Sequence, residues 1–151
     1  MRPFIAIAAG LVAGSLVAAT ALAQEMKPEE LLKARQGMME AVRMQVGPLF
    51  GVAKGAMPLS AATAETADNV VGLAHALKTA YSKGTEDLPG SNAKPEAFTD
   101  PKFLAGYDKL AEAAAKVAAD ARANNLDALK NDVNGIGAAC KGCHDDSRKK
   151  S

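Results

Sequence analysis

The chain has 151 residues, of which 18 are Lys or Arg, 17 are Asp or Glu, two are His and two are Cys, while aromatic residues make up 4%. A formal charge of +1 gives no electrostatic footprint for nucleic acid, so that class of partner is excluded. The length suits one domain with a modest core.

Residues 1–23 read as a secretory leader. Arg2 supplies the positive n-region, Phe4 to Thr20 form an apolar stretch of Ala, Val, Ile and Leu, and Ala21-Leu22-Ala23 offers an A-x-A cleavage site before Gln24. The apolar run is short and rich in small residues, and no basic stop-transfer cluster follows, which argues against an uncleaved spanning helix. Cleavage would leave residues 24–151 as a periplasmic domain with no membrane span. Losing Arg2 would bring its acidic and basic side chains into formal balance.

The mature chain shows four amphipathic helical patterns and no alternating strand pattern. The first begins at Pro28, with Glu29 and Glu30 at the positive end of the helix dipole. Its inward row is Leu32, Arg35, Met39, Val42, Val46 and Leu49, in steps of three and four. Gly47-Pro48 predicts a kink or interruption near its end. Ser60 is the expected N-cap of the second helix, whose row runs through Val70, Ala74, Leu77 and Tyr81 until Gly84 ends it. Residues 84–99, with Pro89-Gly90, Ser91-Asn92 and Lys94-Pro95, read as an irregular loop. Asp100-Pro101 then caps and opens a third helix with Phe103, Tyr107, Leu110, Ala114, Val117 and Ala121 on one face, and Asn124-Asn125 break it.

The fourth pattern carries the chemistry. Its row is Leu126, Leu129, Val133, Ile136, Cys140 and Cys143, and it runs into Cys140-Lys141-Gly142-Cys143-His144, a C-x-x-C-H haem attachment motif. Two thiols three residues apart can each add to a haem vinyl group, and the next imidazole can ligate the iron. On a helix, residues at i, i+3 and i+4 share one face, so all three side chains address one ring. A redox C-x-x-C normally opens a helix after a strand, and none precedes this one. A structural zinc site needs four ligands, and the other histidine, His75, has no Cys or His neighbour at ligand spacing. His75 also falls outside the second helix's inward row and reads as exposed. Because the row continues into the cysteines, the ring belongs on the core side. The pattern predicts an all-α, antiparallel, left-handed four-helix bundle with covalently bound haem c in its core, one per chain. Abundant Ala favours close helix approach, and the scarcity of aromatics leaves the porphyrin as a major apolar filler. Arg148-Lys149-Lys150 reads as a solvated helix end.

The mature sequence resembles the cytochrome c′ family, the class II c-type cytochromes. The resemblance rests on Cys140-Lys141-Gly142-Cys143-His144-Asp145 with Arg148-Lys149-Lys150, on Lys27-Pro28-Glu29 and Arg35-Gln36, on the Lys54-Gly55 turn, and on Gly84-Thr85 with Lys94-Pro95-Glu96. The C-terminal position of the motif matters most, because class I cytochromes c carry theirs near the N-terminus. Where the family usually has a tryptophan after the Pro-Glu pair, this chain has Phe98. The resemblance implies His144 as axial iron ligand, Cys140 and Cys143 as thioether attachments, Arg35 and Gln36 at the haem edge and propionates, and Asn92 in a loop that contacts haem. A cation in an apolar row is costly unless paired, which suits Arg35 to a propionate; the alternative is an arginine that snorkels to the surface.

Met39 lies one turn after Arg35 in the same row, and the resemblance puts it at the distal position. A thioether opposite His gives six-coordinate iron suited to electron transfer; a methionine that only packs leaves five-coordinate iron open to NO or CO. Met38 falls on the wrong face and reads as surface or dimer contact. The chain is therefore read as a mono-haem electron carrier serving redox partner proteins, with gas buffering or sensing as the alternative. Peroxidase-like catalysis ranks last, since no distal His or acid suits general acid-base work. The resemblance also implies a two-fold dimer through the first two helices, with Leu31, Met38 and Val71 on that face.

Overall fold

The computed structural model describes residues 26–81 and 85–150; the leader and Gly84, expected to end the second helix, lie outside them. Four helices follow in order, α1 (Pro28–Ala53), α2 (Ala61–Thr79), α3 (Pro101–Arg122) and α4 (Leu126–Ser147), with a 3₁₀ turn at Pro95–Phe98.

The first helix opens on Pro28, and the Lys27 N–H donates to Glu30 Oε2 at 3.1 Å. It runs through Gly47-Pro48 to Ala53, so the expected interruption does not occur. Gly47 presents no Cβ to the proline ring, which relieves the clash that usually forbids helical backbone before proline. Leu49 and Val52 are buried and hold the final turn in place. Gly55 then reverses the chain at φ +74, a conformation that costs a Cβ-bearing residue energy.

At the start of α2 the Ser60 N–H donates to Thr63 Oγ1 at 3.2 Å, as the cap pattern implies. The helix stops at Thr79, short of Gly84. Thr79 Oγ1 donates to the Ala76 carbonyl at 2.8 Å, a local bond that competes with helix continuation. Tyr81 therefore sits beyond the helix, and the irregular loop contains one regular piece, the 3₁₀ turn. Asp100 Oδ1 accepts from the Lys102 N–H at 2.8 Å to cap α3, and Asn125 Oδ1 accepts from the Ala128 N–H at 3.1 Å to cap α4. Asn124 between them takes φ +52.

These helices form an antiparallel four-helix bundle. Every predicted face residue of α3 is buried, as are Val70, Ala74 and Leu77 of α2 and Leu129, Val133 and Ile136 of α4. Neighbours α1–α2, α2–α3 and α3–α4 pack along their lengths, whereas α1 and α4 touch over a short stretch only. Along that seam the apolar rows are half-buried: Leu32, Met39 and Val46 on α1, Cys140 and Cys143 on α4.

Candidate functional site

The gap between α1 and α4 is a cavity of about 730 Å³. One wall is α1, presenting Leu32, Arg35, Met39, Val42 and Val46, with Gln36, Glu40, Arg43 and Gly47 along the next helical row. Facing it, α4 contributes Cys140, Cys143, His144 and Ser147, and Arg148 follows. Ser91, Asn92 and Ala93 close one end, and Tyr81, Phe103 and Tyr107 form the floor. All seven site residues expected from sequence, Arg35, Gln36, Met39, Asn92, Cys140, Cys143 and His144, thus line one cavity. His75 is exposed on α2, away from it.

Neither cysteine is in a disulfide. Burial raises both thiol pKa values, and Cys140 and Asp146 raise that of Cys143 further. A catalytic dithiol draws on the opposite shift, toward thiolate. Among the described residues no group of three or more His, Cys, Asp and Glu gathers to hold a bare metal ion.

Arg35 does not snorkel: it is 4% exposed. Its Nη1 donates to Thr85 Oγ1 at 2.7 Å, and its guanidinium lies 4.8 Å from the Tyr81 ring centroid and 5.0 Å from that of Phe98. Burial lowers its pKa while Tyr81, Tyr107 and Glu86 push the other way, and an arginine stays charged under such a balance. Both tyrosines and two of the four phenylalanines meet here, Tyr81 packing edge-on to Phe98 at 5.0 Å and to Phe103 at 4.8 Å. The phenols are raised by burial, so both remain protonated. Gln36 Nε2 donates to the Gly90 carbonyl at 3.1 Å and fixes the loop to α1.

Several wall residues were not marked by sequence. Arg148, expected to be a solvated helix end, is exposed as the C-cap of α4 and also lies against the cavity, because the chain after α4 pairs with the loop. Ala93 and Arg148 form an antiparallel bridge, the Lys94 N–H donates to the Ser147 carbonyl at 2.9 Å, and the Lys149 N–H to the Asn92 carbonyl at 2.8 Å. Glu40 and Arg43 stand on the rim as an exposed ion pair, in which the Arg43 hydrogen bond holds the Glu40 carboxyl below its ordinary range. Glu40 is therefore an acceptor and not a proton donor. Tyr81 and Tyr107 were read as core alone, yet they face the cavity as well. Met38 packs half-buried against the core, whereas Met44 is 64% exposed.

The walls suit a flat apolar group held at two sulfurs: a cavity whose exposed lining is mainly apolar, with cysteines on one face and cations among the polar residues around it. Such a site in this bundle defines a class II haem protein. The model of the cytochrome c′ family matches residues 30–148. Cytochrome c′ of Alcaligenes xylosoxydans xylosoxydans is 34% identical over 129 residues, covering 84% of this chain and 99% of the relative. Cytochrome c-554 of Cereibacter sphaeroides is 34% identical over 156 residues, covering 99% of each. Among solved structures, a ferrous variant of cytochrome c′ from Alcaligenes xylosoxidans with bound NO superposes with a TM-score of 0.74 at 31% identity, over 83% of this chain and 98% of that one. The chain belongs to the cytochrome c′ family, and its cofactor is covalently attached haem c.

Proposed function

We propose that the protein is a periplasmic electron carrier in which Cys140 and Cys143 hold the haem by thioethers, His144 ligates the iron, and Met39 supplies the sixth ligand. The observation that carries this reading is the placement of Met39 in the α1 wall of the cavity whose α4 wall bears Cys143 and His144. Haem iron supplies a one-electron couple, and a His/Met ligand pair favours its ferrous state. The chain's own residues do the rest. Leu32, Val42 and Val46 exclude water from the distal side, and Arg35 places a buried positive charge beside the cavity. The Glu40 carboxylate, held ionised by Arg43, offers no general acid at the rim, which suits electron transfer better than peroxide chemistry.

The deciding experiment is an optical and spin-resonance spectrum of the ferric protein. Low-spin iron with a sulfur-to-iron charge-transfer band is the expected result; high-spin iron that binds NO on reduction would move the function to the second reading. That reading, a five-coordinate gas-binding protein, is favoured by the NO bound in the structurally similar relative. We also propose a two-fold dimer through α1 and α2, where Leu31, Met38 and Val71 stand half-buried. Sedimentation at micromolar concentration should show a species of twice the chain mass.

A further inference from the structure

Three glycine contacts fix how α4 sits in the bundle. A Cβ at Gly135 would stand 3.3 Å from Ala113 Cβ, and one at Gly106 would stand 3.8 Å from Cys143 Sγ, so α3 and α4 are seated backbone to side chain along their shared face. On the opposite side, a Cβ at Gly137 would stand 3.3 Å from Phe50 Cζ, closer than ordinary van der Waals contact. Phe50 is half-buried and packed against the core, which limits the swing of its ring. None of the three glycines takes positive φ, so backbone freedom does not explain them; close approach does.

The Phe50–Gly137 contact lies at the closed end of the α1–α4 seam. From it the helices diverge into the cavity, whose α1 wall passes through Val46 and Met39. Phe50 and Met39 lie eleven residues apart on one helix, roughly 16 Å at about 1.5 Å per residue, in which Pro48 removes one backbone hydrogen bond without ending the helix, so a shift at Phe50 tilts the α1 wall that carries Met39. With α4 seated on α3, the adjustment falls to α1, which meets α4 over a short stretch only.

We propose that Phe50 and Gly137 are positioning residues forming a pivot, and that the absence of a side chain at Gly137 sets the gap between Met39 and the haem-bearing face of α4. Gly137→Ala pushes the Phe50 ring and opens the gap by a few tenths of an ångström. That is the scale on which a thioether gains or loses an iron bond. Phe50→Leu shortens the side chain and lets the helices close. The spin-state arm rests on Met39 being a ligand; the pivot itself does not.

The test uses the haem-loaded protein and four variants: Gly137→Ala, Phe50→Leu, the double variant, and Gly72→Ala, which adds a Cβ to a helix where nothing lies within 4 Å. Helix content and melting temperature establish folding. Ferric spin state and the rate of CO association with the ferrous protein are the readouts. Gly137→Ala should raise the high-spin fraction and speed CO association several-fold, Phe50→Leu should slow it, the double variant should return toward wild type, and Gly72→Ala should match wild type. A high-spin wild type defeats the ligation reading, yet the order of CO rates still decides the pivot. Equal spectra and equal CO rates in folded Gly137→Ala overturn the inference, as does a double variant that keeps the Gly137→Ala behaviour. If Gly137→Ala does not fold, Phe50→Leu alone decides, and an unchanged or faster CO rate overturns the inference.

Discussion

The α2–α3 flank and the α1–α4 seam are written in the same apolar periodicity but end in different states. On the flank, Ala67, Val70, Ala74 and Leu77 pack with Ala114 and Val117 in the same core, and all six are sealed from solvent. Along the seam, Leu32, Met39 and Val46 on one side and Cys140 and Cys143 on the other remain half-buried. Small residues let the flank helices close until side chains fill the space between them. At the seam the rows do not reach one another. An apolar row left half-exposed by its own chain marks where the core is completed from outside, and here haem c completes it.

Removing that completion should give the largest effect. With Cys140→Ala and Cys143→Ala together, denaturing extraction should release all haem from a protein that otherwise retains it, and the seam should lose its filler. Free haem recovered from denatured wild-type protein would falsify thioether attachment. Next comes the flank. Leu77→Ala should cost about 2–5 kcal/mol, as fully buried leucines do, while the haem spectrum stays as it was. Met39→Ala should reverse that pattern: a modest change in melting temperature, but a change from low to high spin and loss of the sulfur charge-transfer band. If instead Met39 only packs, spin state should hold while gas access increases. A variant unchanged in spectrum and in gas binding would remove Met39 from the distal position.

Arg35 stands where the two regions meet, and Arg35→Met separates its structural part from its electrical one. Loss of the Thr85 hydrogen bond and of the contacts with Tyr81 and Phe98 should cost about 1–3 kcal/mol. Loss of the positive charge should lower the reduction potential of the haem. A variant with wild-type potential would show that Arg35 serves packing alone.

What sequence disclosed was local. Rows at three-four spacing, the Ser60 and Asp100 starts, the Asn124-Asn125 break and C-x-x-C-H each involve residues within one or two turns, and each is where the pattern puts it. Three features depended on residues far apart in the chain. The loop at Ser91–Lys94 is pinned to Ser147–Lys149 by backbone hydrogen bonds across more than fifty residues, so nothing near Arg148 announces that it reaches the cavity. Tyr81 looked like the last step of a helical row, but α2 ends at Thr79 and the ring turns into an aromatic cluster gathered from three segments. Gly47-Pro48 read as a kink or interruption because propensity is local, while the burial of Leu49 and Val52 beyond it, which keeps the helix running, is not.

The smallest effect tests the closed side of the bundle by pH. Asp120 near the end of α3 faces Asp132 of α4, and one Asp120 oxygen is sealed from water with no hydrogen-bond partner. Burial first, then the Asp132 charge, raises the Asp120 pKa above its ordinary value. The folded state thus holds that proton more tightly than the unfolded chain. The pair's contribution is fully present below the ordinary aspartate range, near about pH 4, and is lost as pH rises through the folded value. Asp120→Asn keeps an N–H donor toward Asp132 at every pH. The variant should be more stable than wild type at pH 7, by less than about 1 kcal/mol because the side chains reach solvent, and the difference should vanish near about pH 4. Lys116 and Asp132 line the same shallow groove between α3 and α4, on the flank away from the haem cavity, so the spectrum should not respond. Thermal melts of both proteins at the two pH values check the sign; a variant equally or less stable at pH 7 would show that the two carboxyls do not share a proton there.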